Sequence, residues 1–390
     1  MSTSAHQLFL VHYHEIGLKG KNRGRFENQL VNNIQTSLKE FPGTSPRRLS
    51  GRVIVDLPEE APVDAIGDRI GRVFGVANYS IATRCESDIE TIRDVAWSVA
   101  SQSQFDTFKV ATKRADKLFP LNSVGVNVDV GAHIQGLSGA QVRMADPDLT
   151  CHVEISHQGT FVYTLKHPGP GGLPVGANER ALSLLSSGID SPVASYRIMK
   201  RGVRLAFIHF HSHPYTNRAS QHNTEELVRI LTGYQYQSTL YLVPFLDLQR
   251  HVMTHAPAGY RVILYRRAMF RIAEAVAASE GSLALVTGEN VGQVASQTLS
   301  NMRAIEEVTA LPVLRPLAGH NKEEIIQEAR QIGTYEISTE PYEDCCTVFV
   351  PKHPETRANL NIVRGIELRL NMSKLIDQTV QATEVKRFEF

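Results

Sequence analysis

After residue 175, short apolar runs typical of strands alternate with longer runs that have helical periodicity. The predicted strands are 181–185, 204–210, 239–245, 283–287 and 313–317, and the predicted helices are 192–201, 217–231, 259–278 and 322–332. The last helix has clear boundary residues: Asn321 as N-cap, Glu324 three positions later, and Gly333 just beyond its end. This alternation predicts a doubly wound parallel sheet, covered on both faces, with ligands at the carboxyl ends of its strands.

A Pro/Gly-rich segment precedes this region, with three prolines and three glycines in the eight residues 167–174. We therefore predict a linker at 168–175. Before the linker, the mixed pattern predicts helices at 25–41, 63–74 and 88–101, and strands at 7–13, 107–112, 123–130, 150–156 and 160–166. We expect an α/β multidomain chain with domains at 1–61, 62–167 and 176–390.

The composition excludes several classes of protein. With 42% hydrophobic and 21% charged residues in 390, the chain is neither extensively disordered nor collagen-like. No apolar run approaches the roughly 20 residues that span a bilayer, and the run at 8–11 is too short for a signal peptide. We expect a cytoplasmic protein without a membrane partner.

The four cysteines are too few for a disulfide scaffold and lack the paired spacing of a structural zinc site. Cys345 and Cys346 are adjacent, so their Cα atoms lie about 3.8 Å apart, below the roughly 4.4 Å lower limit of ordinary disulfides. At least one of them is therefore expected to be a free thiol. The alternative is two inert buried cysteines, since cysteine often behaves as a small hydrophobe.

Charge is unevenly distributed along a chain whose net charge is only +1. Residues 1–52 carry eight Lys and Arg against three Glu, and a second basic turn follows a predicted strand near residue 113. Such turns are either solvated surface loops or contacts for a nucleic-acid backbone. The candidate RNA contacts are Lys19, Lys21, Arg23, Lys113, Arg114 and Lys117.

The most specific motif is the strand, Ser/Gly turn and helix of residues 181–194. Gly188 permits close approach of a ligand, Pro192 suits a first helical turn, and the N–H groups of a helix start bind anions. The turn predicts a phosphate site, although it lacks the Lys-Ser/Thr ending of a Walker A loop. Asp190 within it favours a bound magnesium ion or a role in the reaction. The alternative is a capped strand–helix junction without a ligand.

This turn resembles the PP-loop ATP pyrophosphatase pattern Ser-Gly-Gly-X-Asp-Ser, with Ser187 in place of the second glycine. If that position requires positive φ, serine would cost on the order of 1 kcal/mol in strain. Together with the stretches 15–23, 108–117, 287–297 and 342–346, the chain resembles the tRNA 4-thiouridine synthetase family over essentially its whole length.

The resemblance implies an amino-terminal ferredoxin-like domain, a THUMP RNA-binding domain and a PP-loop domain. Some members add a carboxyl-terminal rhodanese domain, which is not expected here because 44 residues follow Cys346. Sulfur transfer for thiamine thiazole synthesis is also known in the family, in members with that domain.

The resemblance also implies roles for individual residues. Catalytic roles fall on Asp190, Lys322 and the persulfide acceptor Cys346, with Cys345 attacking or resolving beside it. A lysine in a first helical turn opposes the helix dipole, which favours a functional reason for Lys322. His209 could instead cap a strand, Arg266 could be a surface cation, and Gly288 could be a turn residue. The implied ATP contacts are Leu184, Leu185, Ser186, Ser187, Gly188, Ser191, His209, Phe210, Arg266, Gly288 and Gln297.

The implied reaction is ATP-dependent thiolation of uridine 8 in tRNA to 4-thiouridine. ATP adenylates the uridine carbonyl with release of pyrophosphate, a persulfide sulfur attacks that carbon, and AMP leaves. The resemblance also implies magnesium as a cofactor, tRNA as the substrate and a cysteine desulfurase as the persulfide donor. It further implies a homodimer. Two alternatives remain open: another PP-loop adenylating ligase, and a non-catalytic tRNA-binding protein. Measuring whether pyrophosphate release depends on tRNA distinguishes tRNA thiolation from these two alternatives.

Overall fold

The computed structural model describes residues 6–340 and 353–390. The chain divides into two compact units, Met1–Pro174 and Val175–Phe390. None of the described helices is both long enough and apolar enough to cross a membrane.

Unit 1 is built on one nine-stranded sheet, because its central strand β4 pairs with strands from both halves of the unit. The strand order is β2-β3-β1-β4-β8-β7-β5-β6, and β9 also pairs with β4. The strands are β1 His6–His12, β2 Ser45–Leu49, β3 Arg52–Asp56, β4 Asn78–Cys85, β5 Thr107–Arg114, β6 Gln141–Val142, β7 Leu149–Ser156, β8 Gly159–Tyr163 and β9 His167–Pro168. The helices are α1 Arg23–Ser37, α2 Val63–Ile70, α3 Ile89–Ala100 and α4 Ser123–Ser138.

The strand predicted at 123–130 is wrong, because these residues begin helix α4. The Asn122 side chain caps the helix by accepting from Gly125 N at 2.8 Å, and Gly139 ends it with φ +71°. Val126 and Val130 are buried, whereas Val124 and Val128 are each 67% exposed. The valines alternate along the sequence because both faces of this helix are apolar, so their period does not identify a strand.

The Pro/Gly-rich segment is ordered against unit 1. Gly169 N donates to Ala77 O at 3.0 Å and Gly171 N donates to Val76 O at 2.7 Å. A Cβ on Gly169 would lie 2.4 Å from Val76 O, so this approach requires glycine. The division between the two units falls at the carboxyl end of the segment.

Unit 2 confirms the doubly wound parallel sheet. Its strand order is β14-β13-β10-β11-β12-β15, and every pair is parallel except β12–β15. The strands are β10 Arg180–Leu184, β11 Arg204–His211, β12 Gln237–Pro244, β13 Ser282–Val286, β14 Val313–Leu314 and β15 Glu384–Glu389. The helices are α5 Asp190–Met199, α6 Ala219–Gln235, α7 Leu246–His255, α8 Arg261–Glu280, α9 Leu299–Glu306, α10 Lys322–Gln331, α11 Tyr335–Thr339, α12 Leu360–Leu370 and α13 Ser373–Gln381.

The core of unit 2 lies between the sheet and helix α8. Phe245, Leu264, Phe270 and Ile305 are fully buried there. The central strand β11 is buried along most of its length, as expected for a parallel strand covered on both faces. This packing leaves the carboxyl ends of the strands as the edge at which loops can build a site.

Candidate active site

A cavity of about 500 Å³ lies where β10, β11 and β13 end at the carboxyl edge of the unit 2 sheet. Helix α8 and the segment that follows β13 complete its wall. Ser187 and Gly188, two of the predicted nucleotide contacts, do not line it. The predicted residues that do line it are Leu184, Leu185, Ser186, Asp190, Ser191, His209, Phe210, Arg266, Gly288 and Gln297.

Hydrogen bonds between two serines close the turn from β10 into α5. Ser191 Oγ accepts from Ser186 N at 2.8 Å and donates to Ser186 O at 3.0 Å. Gly188 N lies 3.3 Å from Ser186 Oγ, which accepts its hydrogen. The turn is therefore held by its own side chains, at the point where the α5 amino terminus meets the cavity.

Ser187 does not carry the backbone strain that its position in the motif suggested. Outside glycine, the described residues with positive φ are Asp146, Tyr236 and Asn371. Ser187 is 1% exposed. Its side chain is thus accommodated in the interior, and the expected cost of a left-handed serine does not arise.

Gly288 brings the segment after β13 against the start of α5. A Cβ at this position would lie 2.7 Å from Ser191 N and 2.9 Å from the carbonyl carbon of Asp190. Both contacts are with backbone, which cannot move aside without displacing the helix. The glycine therefore serves a close approach, as well as following the end of a strand.

Asp190 is held by two side chains from outside its own helix. Lys322 Nζ lies 2.5 Å from Asp190 Oδ1, and Gln293 Nε2 donates to Asp190 Oδ2 at 3.1 Å. Lys322 is the first residue of α10, where Asn321 and Glu324 form the predicted capping box. The structure thus brings two of the predicted catalytic residues, Asp190 and Lys322, together, and it adds Gln293 to them.

A buried carboxylate on the cavity wall was not predicted. Glu289 is 2% exposed and accepts from Arg266 Nη2 at 2.6 Å and from Arg315 Nε at 2.7 Å. Burial raises the pKa of Glu289, but the charges of the two arginines outweigh burial and lower it below the usual range. Glu289 lies in the motif 287–297, so its position next to Gly288 was the available signal.

His209 uses both ring nitrogens within the protein. Nδ1 lies 2.9 Å from Leu185 O and Nε2 lies 3.1 Å from Ser220 Oγ, and the side chain is buried. These contacts tie the start of the turn to helix α6. His209 therefore shapes the cavity by holding the Leu185 backbone.

Cys345 and Cys346 lie outside the described residues. Two other cysteines are described, and neither has thiolate character. Burial, with Asp88 and Glu86 nearby, raises the pKa of Cys85 to about 12, and burial alone raises the pKa of Cys151 to about 12. Neither is suited to act as a nucleophile at neutral pH.

The two basic turns lie in unit 1. Lys21, Lys113 and Lys117 are exposed, and Lys113 belongs to the end of β5 rather than to a turn.

The other predicted RNA contacts have structural partners. Arg23 pairs with Glu27 at 2.8 Å, and Arg114 Nη1 donates to Phe119 O at 2.9 Å. Lys19 Nζ lies 5.1 Å from the centre of the Phe26 ring. The exposed lysines are thus separable from the arginines, which also hold local structure.

Three family models match successive parts of the chain. The model described as "Thiamine biosynthesis protein (ThiI)" matches residues 176–372, the "ThiI ferredoxin-like domain" matches 8–80, and the "THUMP domain" matches 86–165. These matches agree with the predicted order of a ferredoxin-like domain, a THUMP domain and a PP-loop domain.

Relatives match nearly the whole chain. The probable tRNA sulfurtransferase of Moorella thermoacetica is 45% identical over 381 residues, which cover 97% of each chain. That of Thermus thermophilus is 42% identical over 373 residues, covering 96% of this chain and 92% of its own. A crystal structure of a 4-thiouridine synthetase–RNA complex with bound ATP has a TM-score of 0.90 and 36% identity, covering 98% of this chain and 100% of that one. The protein therefore belongs to the ThiI family of tRNA sulfurtransferases.

Proposed function

We propose that this protein converts uridine 8 of tRNA to 4-thiouridine, using ATP and a persulfide sulfur. The observation that carries the proposal is the nucleotide-sized cavity at the carboxyl edge of the unit 2 sheet. It occurs in a chain that is similar throughout to a 4-thiouridine synthetase bound to RNA and ATP.

The first step is adenylation of the uridine. ATP occupies the cavity, with phosphate groups at the α5 amino terminus, where backbone N–H groups favour negative charge. The C4 oxygen of uridine attacks the α-phosphorus, the bond to the β-phosphate oxygen breaks, and pyrophosphate leaves. Arg266 supplies positive charge on the cavity wall, and Glu289 holds its guanidinium at 2.6 Å.

Asp190 and Lys322 act together at the phosphate end of the cavity. Their 2.5 Å ion pair fixes the lysine ammonium close to the start of α5. A cation there stabilises the negative charge that moves onto the departing pyrophosphate. The ion pair also offsets the unfavourable position of Lys322 in the first turn of a helix.

The second step is sulfur transfer. The terminal sulfur of a Cys346 persulfide attacks C4, the C4–O bond breaks, and AMP leaves with the electron pair. A thiolate then attacks Cys346 Sγ, the bond from this Sγ to the transferred sulfur breaks, and 4-thiouridine leaves. This step joins Cys346 to the attacking thiol in a disulfide, which an external dithiol must reduce before the next turnover. Cys345 is adjacent in sequence and is proposed either to attack or to resolve at this stage.

The residues of the cavity are compatible with a magnesium ion whose ligands come largely from the nucleotide. Over 6–340 and 353–390, no group of three His, Cys, Asp or Glu side chains is placed to hold a metal ion. Magnesium often uses one carboxylate together with substrate phosphates and water, and Asp190 would be that carboxylate. When bound, the ion would neutralise phosphate charge.

A cysteine desulfurase is proposed as the persulfide donor, because the second step requires sulfur at the oxidation level of a persulfide. We also propose a homodimer, as the family resemblance implies, that acts in the cytoplasm on tRNA.

The exposed lysines of unit 1 are proposed to contact the tRNA backbone. Replacing Lys113 and Lys117 by Ala should weaken binding of a tRNA transcript and flatten its salt dependence, since each lost phosphate contact lowers the slope by about 0.7–0.9. Lys39→Ala, which removes an exposed lysine two residues beyond the end of α1, is the control for loss of a surface charge. Unchanged affinity of the double variant at every salt concentration would contradict this assignment.

The proposed function is tested by release of pyrophosphate from ATP with unmodified tRNA transcript. We expect release that requires tRNA and uridine at position 8. Release that requires an amine acceptor instead would favour an amidating PP-loop ligase. Tight tRNA binding without any release would favour a non-catalytic RNA-binding protein.

A further inference from the structure

A second cavity, of about 430 Å³, lies beside the nucleotide cavity at the same edge of the sheet. β11 contributes His209 to the first cavity and His211, two residues later, to the second. The loop after β11 and the first turns of α6 add His213, Arg218 and His222.

Several nitrogen-bearing side chains of this second cavity have no hydrogen-bond partner among the described residues. His211 Nδ1 is buried and forms no hydrogen bond within that part of the chain. Arg218 and His222 are exposed and His213 is partly exposed, and these three side chains have no hydrogen bond or ion pair with any described residue. An arginine alone carries five N–H donors. The cavity therefore offers several hydrogen-bond donors that are available to a ligand.

The carboxylates in the wall form no hydrogen bond or ion pair with Arg218 or with the histidines. Glu225 and Glu384 both pair with Lys386, whose Nζ lies 2.7 Å from Glu225 Oε1 and 3.7 Å from Glu384 Oε1. The hydrogen bond to Glu225 raises the pKa of Lys386, as expected for a satisfied pair. Arg218 is left as the cation of the cavity without a carboxylate partner among the described residues.

The donor set suits an oxyanion better than a metal ion. Across the described chain, no three His, Cys, Asp or Glu side chains are placed to hold a metal. Burial, followed by His209, His213 and Arg218, lowers the pKa of His211 to about 4, so this ring is neutral at pH 7 and can still donate one hydrogen bond. A guanidinium with imidazole donors is the chemistry of phosphate recognition.

We infer that this cavity binds a phosphate group, and that a backbone phosphate of the RNA substrate is its source. The uridine must reach ATP in the adjoining cavity, so a neighbouring phosphate of the same strand comes within reach of Arg218 and the histidines. Naming RNA as the source rests on the proposed function. The preference for an oxyanion rests on the side chains alone.

The test uses the full-length protein and the double variant Arg218→Ala/His222→Ala. Lys200→Ala is the matched control. Lys200 is the C-cap residue of α5, so this variant removes a cation of the same unit that lines neither cavity. Affinity for an unmodified tRNA transcript is measured at several salt concentrations. Affinities for ATP and for inorganic pyrophosphate are measured in parallel.

The expected result is about a fivefold loss of tRNA affinity in the double variant, with the salt slope reduced by roughly one phosphate contact. ATP affinity should be unchanged, and Lys200→Ala should behave as wild type. If the double variant lost affinity for pyrophosphate but bound tRNA normally, the cavity would still be a phosphate site, but RNA would not be the source of the phosphate. If the double variant bound both tRNA and pyrophosphate as wild type does, the cavity would not be a phosphate site.

Failure of the proposed function would be seen separately. A wild-type protein that forms no 4-thiouridine, while the double variant still loses phosphate affinity, would contradict the reaction and leave the phosphate site intact.

Discussion

Lys322 Nζ lies 2.5 Å from Asp190 Oδ1, so an ion pair joins the first residues of two helices that are 132 positions apart in sequence. The side chains are 40% and 22% exposed, and such partly exposed pairs contribute only about 0–1 kcal/mol to stability. The pair therefore has more to do with placing charge at the cavity than with holding the fold.

We predict that Asp190→Ala lowers tRNA-dependent pyrophosphate release by at least about 100-fold, a loss typical of groups that stabilise charge in a transition state. The melting temperature should change little, because Asp190 is the partly exposed first residue of α5 and its ion pair contributes little to stability. Lys322→Ala should cause a loss of similar direction. A rate near wild type in Asp190→Ala would show that the turn has been assigned the wrong role.

Gly288→Ala should be as damaging as a catalytic substitution. The new methyl group would lie 2.7 Å from Ser191 N and would force the start of α5 out of place. We expect loss of ATP binding, measured by calorimetry, together with a lower melting temperature. Gly319→Ala is the matched control, because nothing lies within 4 Å of its Cβ. If the two variants had the same ATP affinity and the same melting temperature, the close approach of Gly288 to the start of α5 would be contradicted.

Glu289→Gln should raise the KM for ATP by about tenfold, equivalent to roughly 1.4 kcal/mol. The amide keeps the shape but loses the charge that holds Arg266 and Arg315 together. Glu306→Gln provides the comparison, because within the described part of the chain the Glu306 carboxylate pairs with Arg315 only, at 2.7 Å, and is 41% exposed. If both variants bind ATP as wild type does, Glu289 has no positioning role.

The stability of unit 1 should depend on pH through His152. Burial, followed by the charge of Lys166, lowers the pKa of this imidazole to about 4 from its usual 6.5. The unfolded state therefore takes up the proton first, so the contribution of His152 to the free energy of unfolding falls as pH drops from about 6.5 to about 4 and does not change above that range.

This dependence can be followed by urea unfolding with Trp97 fluorescence, because the chain has one tryptophan and it lies in α3 of unit 1. His152→Gln should remove much of the fall, whereas His157→Gln, with a 68% exposed side chain, should not. An equal fall in wild type and His152→Gln would exclude His152 as the cause.

Local signals in the sequence predicted local structure well. The boundary of α10 is right because the capping box is formed within four residues: Asn321 Oδ1 accepts from Glu324 N at 2.9 Å, and the return bond is also 2.9 Å. By contrast, the alternating valines of α4 fit a strand as well as a helix, and the signal that favours the helix is the N-cap residue Asn122.

The contacts of the site that the sequence did not predict join residues far apart along the chain. Glu289 and Arg315 are 26 residues apart, and Gln293 meets Asp190 across 103 residues. No spacing rule connects such positions, because β13 and the loops after it bring them together only once the sheet has formed. The motif containing Gly288 indicated the right segment, but only the packing identified Glu289 as its buried charge.

The most direct test of the account is nucleoside mass spectrometry of unmodified tRNA after incubation with the purified protein, ATP, cysteine and a cysteine desulfurase. The account predicts 4-thiouridine at position 8 that requires ATP, with loss of product in Cys346→Ser and in Asp190→Ala. Absence of 4-thiouridine with the wild-type protein, or its formation without ATP, would contradict the account.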